Sequence, residues 1–561
     1  MKGLVKLPNP FYSSMIKKLR ELFKDIPVPY SPQELPALEV SDIVIDSRRV
    51  KQGDLFVAMR GGALDGHDYI EEAVTHGAAA VIGDQDFHRV TIRVPYIQVQ
   101  DTRQALTWLA AGYYGWPARK LTVIGITGTD GKTTTANLIF EILKAAGIKS
   151  GLVSTLNAVI DDNILDTGFH VTTPDAHDLQ GYLAQIVRAG LTHTVLETTS
   201  HGWAQHRVDA CEFDIGVVTN ITHEHLDQHG SYDNYRAAKA RLFSSLERTL
   251  PKPQGNPRLA IINHDDQSYE FLDRFIKVNR VSYGLTSSAD IYAEGVEFTP
   301  KGMRFNACSQ RNNTQTPVTT RLLGLHNVSN CLAAFTTAVQ GLKLPPEVAA
   351  MGISSLEAVP GRMEKIEMGQ DFIAMVDFAH TPNALKVTLE TSRKILDHSL
   401  SGVGTPRTKL EGQIKRIIVV FGSAGLRDEE KRRLMAETST LLADLTILTA
   451  EDPRTESLDQ ILEDMAKGAR SKGGREGETF WRVPDRGEAV RLAIKMAKPG
   501  DLVLCCGKGH EQSMCFGQRE HLWDDRTAMR AALAEHLGIP GPAMPYLPTQ
   551  DKQEKEWLPW R

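Results

Sequence analysis

Short, unbroken apolar runs alternate along this chain with stretches whose apolar positions recur at helical spacing. Before residue 120 the runs are brief: residues 44–45, 55–57 and 79–82 read as strands, and 69–76 as a helix. A helix over 101–114 leads into the apolar run 121–126, and helical spacing resumes over 136–146. Further on, 194–196, 215–218 and 259–262 are strand candidates, with helices over 232–250 and 327–341. A new series begins near Val359, with strands at 372–376, 416–421, 445–448 and 502–505 and helices such as 431–442 between them. Strands alternating with helices predict parallel sheets covered by helices, an α/β fold. The breaks divide the chain into 1–119, 120–358, 359–540 and a tail, 541–561, rich in proline and charge and read as extended or loosely docked. The polar stretch 399–413 reads as a surface loop.

A chain of 561 residues has room for roughly three to four domains. Its net charge of −5 offers no basic field, which speaks against nucleic acid as a partner. Six cysteines make no Cys-x-x-Cys pair, as expected in a reducing compartment, and the adjacent Cys505 and Cys506 should face opposite sides of a strand. No apolar run approaches the ~20 residues of a membrane span, and no signal-peptide core opens the chain. These features predict a cytoplasmic protein, read as a monomer. Residues 15–23 form a short amphipathic pattern with Lys17, Lys18 and Arg20 on its polar side, read as a helix docked on the first domain or, alternatively, as a weak membrane-surface contact.

The chemistry concentrates behind the run 121–126. Gly125-Ile126-Thr127-Gly128-Thr129-Asp130-Gly131-Lys132-Thr133-Thr134 places a glycine turn and Lys-Thr between a strand and a helix. Such a turn cradles nucleotide phosphates: backbone N–H groups and the helix N-terminus attract the anion, the lysine neutralises it, and the following hydroxyl binds Mg²⁺. The spacing is off the usual pattern, since the customary first glycine falls on Ile126. Two later strands end in candidate metal ligands, Glu197 in Leu196-Glu197-Thr198-Thr199-Ser200-His201 and His225 in Thr219-Asn220-Ile221-Thr222-His223-Glu224-His225. The C-terminal edge of a parallel sheet is where ligands bind, so a magnesium-nucleotide site is expected there. Thr172-Thr173-Pro174 reads either as a helix cap or as a set of ligand-binding hydroxyls. His225 and His229 lack the glutamate of an H-E-x-x-H zinc frame.

More motifs follow in order: Tyr235-x-x-Ala238-Lys239, Gly324-x-His326-Asn327-x-x-Asn330, Pro360-Gly361-Arg362-Met363-Glu364 and Asp377-Phe378-Ala379-His380. Then come Gly425-x-Arg427-Asp428, Asp452-Pro453-Arg454 and Gly507-Lys508-Gly509-His510-Glu511. With the glycine loop and the two strand ends, this series resembles that of the Mur ligases, ATP-dependent amide-bond ligases that build the peptide of bacterial peptidoglycan. The resemblance spans about residues 40–540, and the off-pattern loop is the family's own form. Asp46-Ser47-Arg48, Gly53–Ala58 and Ser200-His201-Gly202 followed by Gln205-His206-Arg207 are most similar to the members that add the third residue to UDP-N-acetylmuramoyl-L-alanyl-D-glutamate.

The resemblance implies three domains: a smaller α/β UDP-binding N-terminal domain, a central P-loop parallel-sheet ATPase domain and a Rossmann-like C-terminal domain. It implies ATP and Mg²⁺, with Gly128, Thr129, Asp130, Gly131, Lys132, Thr133 and Thr134 on the phosphates. Asn327 and Asn330 fall on the adenine contacts, and Arg362, Asp377 and His380 close over ATP. Glu197 and His225 fall on metal ligands with Thr133, and Lys239 on the family's carbamylated lysine, which would hold a second metal. Lys132, Glu197, His225 and Lys239 are thus the expected catalytic set. Ser47, with the loop from Gly61 to His67, falls on the uridine-diphosphate site, and Thr172, Thr173, Thr199, Gln205 and Arg207 on the muramoyl-peptide contacts. Phe378 stands where the family has tyrosine, and Asp130 where it has asparagine.

Arg427, Asp452, Arg454, Gly507 and Glu511 fall on the site of the incoming dibasic amino acid. Diaminopimelate ligases carry Asp-Asn-Pro-Arg, whose arginine forks a distal carboxylate; here the run is Glu451-Asp452-Pro453-Arg454. Arg454 favours diaminopimelate, whereas Asp452 in place of the amide would suit the extra ammonium of lysine or ornithine. The rivals to a tripeptide ligase are another ligase of the superfamily, such as a folylpolyglutamate synthetase, and a nucleotide-binding homologue without catalysis.

Overall fold

The computed structural model describes residues 16–32, 34–61, 64–86, 92–161, 163–165, 173–222, 230–299, 302–398 and 415–550. Its contacts group into two compact units, one from Met1–Lys132, Leu143–Ser282 and Thr336–Leu344, the other from Thr133–Ile142, Tyr283–Phe335 and Pro345–Arg561.

The first unit opens with the short helix Leu19–Leu22, whose apolar face is used up in the core: Leu19 and Leu22 are wholly buried against Val40, Ile43 and Leu109. The docked reading of this segment therefore holds over its described part. A five-stranded sheet follows in the order Tyr30–Ser31, Tyr96–Val99, Ala80–Gly83, Leu55–Val57, Ile43–Val44, parallel except where the first two meet. Asp101 caps the next helix, Thr102–Tyr113, by accepting from the Gln104 N–H.

The strand Thr122–Thr127 is buried at every position, as its unbroken apolar pattern requires of a central parallel strand. His193–Glu197 and Ile215–Val218 flank it in parallel, so Glu197 pairs Ile126 and Val218 pairs Thr127. Ser150–Val153 and Leu259–Asn263 extend the parallel part outward. The sheet is not parallel throughout: Ala158–Ile160 and Asn163–Leu165 add antiparallel strands at one edge. Trp203, Phe213, Tyr235, Leu242 and Phe243 fill the core beside it. A buried ion pair braces the start of the central strand. Lys252 Nζ donates to Asp214 (2.6 Å) and to the carbonyls of Leu121 (3.0 Å) and Glu212 (2.7 Å), while Asp214 accepts from the Val123 N–H (2.7 Å).

In the second unit, Ile291–Thr299, Gly302–Ser309 and Thr314–Thr320 form an antiparallel meander. A six-stranded sheet runs Glu364–Ile366, Ile373–Asp377, Leu502–Cys506, Ile417–Phe421, Leu445–Leu448, Phe480–Arg482, parallel except for its first pair. Helices cover both faces, and Cys505 and Cys506 do face opposite ways, into two different apolar clusters. The expected α/β class of parallel sheets covered by helices is present, and antiparallel strands, invisible to a search for βαβ alternation, trim the parallel cores. The tail is docked as far as it is described, with Leu547 buried beside Trp523 and Thr549 Oγ1 donating to Asp485 (2.6 Å).

Candidate active site

The glycine loop is held open by its own backbone and by the neighbouring strand end. Gly128 and Gly131 take φ of +149° and +80°, conformations that L side chains rarely adopt. A Cβ on Gly128 would stand 1.9 Å from Thr219 Oγ1. Asn220 fixes the loop from the facing strand end: its carbonyl accepts from Thr129 N–H (2.7 Å), its Oδ1 from Asp130 N–H (2.9 Å), and its amide donates to the Asp130 carbonyl (3.2 Å). Thr219 Oγ1 donates to the same carbonyl at 2.6 Å. Lys132 curls back so that Nζ donates to the Thr129 carbonyl, 2.7 Å. Thr133 and Thr134, at the start of the helix Lys132–Ala145, are buried.

Lys239 lies on the helix Tyr232–Arg248, capped by Ser231. Its side chain is 2 % exposed, and Nζ donates to the Gly128 carbonyl at 2.5 Å and stands 4.5 Å from the centre of the Tyr235 ring. The Tyr235 hydroxyl in turn meets Thr129 Oγ1 at 3.0 Å. The lysine that a helical pattern would leave solvated is therefore packed against the phosphate loop. Glu197, also buried, accepts from the Thr155 N–H at 3.1 Å. Thr173 and Thr199 sit together, their hydroxyls 3.2 Å apart, and Thr199 caps the helix Ser200–Ala204. Arg207 donates to the Thr173 carbonyl (2.7 Å) and pairs with Asp175 at 3.3 Å; burial lowers its pKa, which Asp175 partly offsets. Gln205 Nε2 meets His201 Nε2 at 2.6 Å. Ser47, buried, donates to Glu72 at 2.5 Å. Thr172 and His225, with part of the Gly61–His67 loop, lie outside the described residues.

In the second unit Asn330 donates to Asn327 Oδ1 (3.0 Å), whose own amide donates to the Leu323 carbonyl (2.8 Å). Asp377 is saturated: it accepts from the N–H groups of Met363 (2.8 Å) and Ala379 (2.9 Å) and from the Thr388 hydroxyl (3.1 Å). These bonds make it an organiser of the strand-end turn. The Arg362 guanidinium stacks 4.4 Å from the centre of the Phe378 ring, and the rings of His380 and His510 pack on the same phenyl at 4.5 and 4.8 Å. Burial, reinforced by Lys431, holds His380 well below the usual imidazole range.

Around the expected amino-acid site, Lys508 Nζ is buried between Asp452 (2.9 Å) and Glu511. Burial alone would lower its pKa, but Glu511 and Asp452 outweigh burial and raise it. Asp452 also accepts from the Cys515 N–H at 2.9 Å, so the carboxylate that replaces the family's amide already has its counter-ion. Lys508 belongs to the Gly507–Glu511 motif, yet its partner Asp452 lies 56 positions away and only the fold pairs them. Arg454 Nη1 donates to the Gly425 carbonyl (3.1 Å), and Asp452 and Arg454 both take left-handed φ, +41° and +53°. Such strained positions cluster at binding loops. Arg427 is exposed. Glu451 is buried with Oε2 2.1 Å from where a Gly507 Cβ would stand, and its carboxyl is pushed up to about 7 by burial.

A glycine loop of phosphate-binding form at the C-terminal end of a central parallel strand, followed by a second α/β sheet, defines a phosphate-loop α/β protein. Three family models then match in order: Mur ligase family, catalytic domain, over 39–114; Mur ligase middle domain over 126–338; and Mur ligase, glutamate ligase domain, over 361–509. The UDP-N-acetylmuramyl-tripeptide synthetase of Roseiflexus sp. (strain RS-1) is 40% identical over 533 residues, 93% of this chain and 100% of that protein. The UDP-N-acetylmuramoyl-L-alanyl-D-glutamate–2,6-diaminopimelate ligase of Geobacillus kaustophilus (strain HTA426) is 37% identical over 498 residues, 89% of this chain and 95% of that one. A solved structure of a ligase of the latter name matches with a TM-score of 0.61 at 28% identity, covering 93% of this chain and all of that one. A MurF structure from Acinetobacter baumannii shares the fold at 19% identity, TM-score 0.60, over 93% of this chain and 99% of its own. The chain belongs to the Mur ligase family. It has that family's three-domain fold and is an ATP-dependent, ADP-forming ligase.

Proposed function

We propose that this ligase attaches the third amino acid, diaminopimelate, to UDP-N-acetylmuramoyl-L-alanyl-D-glutamate, a step in making peptidoglycan precursors. The observation that carries the reading is the burial of Lys239 against the Gly128 carbonyl, which sets an amine that can become a carbamate beside a phosphate loop. Likeness to relatives of that name over nearly the whole chain supports it.

The loop fits a nucleotide: its geometry excludes a Cβ at Gly128 and leaves backbone N–H groups at a helix start. Thr133 and Glu197 supply hard oxygen donors, which suit Mg²⁺ held mainly through phosphates; His225 completes the proposed set. ATP, once bound, supplies the phosphoryl group that turns the D-glutamyl carboxylate into an acyl phosphate. Lys132 and the loop N–H groups then neutralise developing charge, the main protein contribution in phosphoryl transfer. Asn327 and Asn330 are assigned to adenine, and Arg362 and His380 to the nucleotide; Asp377 acts by shaping the turn that carries them. Ser47, Thr172, Thr173, Thr199, Gln205 and Arg207 are assigned to the muramoyl peptide. Arg427, Arg454, Gly507 and Glu511 take the amino acid, with Arg454 forking its distal carboxylate. Because Lys508 neutralises Asp452, the acidic substitution does not call for an extra ammonium, which favours diaminopimelate over lysine or ornithine. The proposed domain limits are 119/120 and 358/359. The proposed setting is the cytoplasm, with a monomer as the acting form; no described helix is long and apolar enough to cross a membrane.

The test is phosphate release dependent on both the UDP-muramoyl dipeptide and an amino acid. Diaminopimelate should exceed lysine in kcat/KM by about 100-fold, the worth of a lost bidentate partner. Absence of release with every dibasic amino acid would overturn the ligation reading, and a preference for lysine or ornithine the amino-acid assignment. In the same assay Lys239→Ala should lose most activity and regain part of it with a short-chain carboxylate; full activity without one would remove the carbamate.

A further inference from the structure

Arg362 is stacked on Phe378, yet its Nε–H is buried with no hydrogen-bond partner, and no carboxylate pairs with it among the described residues. Glu364, two positions on, is engaged by the Gly361 N–H and by Arg526 and Arg530. A stacked guanidinium without a carboxylate is a cation waiting for an anion. On the other contact of the same phenyl lies His510, 8 % exposed, whose Nδ1 is likewise buried and unpartnered. The two segments also approach closely in their backbones, since a Cβ on Gly361, the residue before Arg362, would stand 2.2 Å from the backbone nitrogen of His510. Two buried orphans in one cluster, an N–H donor and a ring nitrogen that accepts when the proton sits on Nε2, demand an explanation, because each costs about 1–3 kcal/mol while unpaired.

We propose that His510 is the positioning residue of Arg362: when the guanidinium closes on a phosphate-bearing ligand, its Nε–H donates to His510 Nδ1, which fixes the fork in the direction of the anion. The inference rests on the nucleotide reading given above and deepens it. The imidazole must be neutral to accept, with its proton on Nε2. Its surroundings ensure this: burial holds the ring far below the usual range, to about 3, with Arg362, Arg526 and Lys508 adding to the effect and Glu511 opposing it. Phe378 serves as the shared platform, which a phenylalanine supplies as well as the family's tyrosine. His510 also adjoins Glu511 and follows Lys508 by two positions, so one turn carries the Arg362 support and two groups of the amino-acid site.

The experiment measures binding of a non-hydrolysable ATP analogue with Mg²⁺ to the full chain by calorimetry, so it does not depend on ligation. His510→Phe keeps the ring and removes the acceptor; His510→Asn keeps an acceptor near the place of Nδ1. His510→Phe should weaken binding about 10-fold, the worth of a hydrogen bond to a charged group, with the melting temperature of the free protein unchanged. His510→Asn should restore binding to within about 3-fold, on the same scale. In an Arg362→Ala background, His510→Phe should cost nothing further. Wild-type affinity in His510→Phe, equal weakening in His510→Asn, or an undiminished effect in the Arg362→Ala background would each overturn the assignment. If His510→Phe fails to fold, His510→Asn against His510→Gln decides, since glutamine carries its polar end farther out and should bind less tightly; equal affinities would overturn it. Ligation by the wild-type chain is scored separately and bears on the proposed function alone.

Discussion

Glu451 shows how a single residue can make stability depend on pH. Its carboxyl is buried, one oxygen has no partner, and burial raises its pKa to about 7, with Asp452 adding to the rise and Lys431, Arg486 and Lys508 opposing it. The folded chain therefore keeps this proton to higher pH than the unfolded chain does. The linked stability is fully present below the usual carboxylate range and is lost as pH rises through about 7. Glu451→Gln should melt with the wild type at pH 4 and a few degrees above it at pH 8.5, measured by differential scanning calorimetry; parallel curves would refute the buried-charge account. At this scale the sequence was legible wherever a motif packs its members close in the chain. Lys132, Thr133 and Lys239 could be named from spacing and resemblance, but Lys239's burial could not. The pairing of Lys508 with Asp452 and the orphaned state of His510 depend on loops that meet only after folding, and no local pattern encodes them.

Among the elements, the parallel strands read most clearly. Ile215–Val218 begins and ends where its apolar run does, because a strand buried on both faces has no polar interruption. Thr314–Thr320 is hard to read for the opposite reason: its residues from Thr316 on alternate buried and exposed, and threonine, glutamine and proline hide the pattern. The helix expected over 327–341 is an α-helix from Leu325 to Thr336 that widens into a π turn over Thr337–Gly341, a change in hydrogen bonding that periodicity does not resolve. The entry of Thr122–Thr127 is tied to the buried pair of Lys252 and Asp214. Lys252→Met leaves Asp214 buried without its cation and should cost about 3–5 kcal/mol in chemical denaturation. A loss under about 1 kcal/mol, the surface-pair range, would show that the pair is dispensable.

Across the whole molecule, the reading of a reducing compartment becomes a count. Cys211, Cys308, Cys331, Cys505 and Cys506 are buried and none is in a disulfide; Cys515 is the partly exposed one. Burial raises the thiol pKa at each of these positions for which a direction is resolved, Cys515 included, so even that thiol should react slowly. Intact mass after alkylation should show at most one adduct on the folded chain and six after denaturation; two or more on the native chain would mean that a core assigned here opens. The α/β class and the order of motifs were legible over this length because each sheet carries its own signature. The antiparallel edges were not, since they reflect what each parallel core needs to cover rather than what its own residues prefer.

The Thr219 hydroxyl that occupies the space of a Gly128 side chain has a historical consequence. A substitution at Gly128 meets that oxygen at 1.9 Å, whereas a change at Thr219 to alanine first removes the nearest obstacle and gives up the bonds of its hydroxyl to the Asp130 and Thr127 carbonyls. A lineage leaving glycine at this position meets less resistance if position 219 changes first, and the left-handed φ of +149° still opposes it afterwards. The loop's composition is guarded less by its own chemistry than by the order in which mutations can be survived.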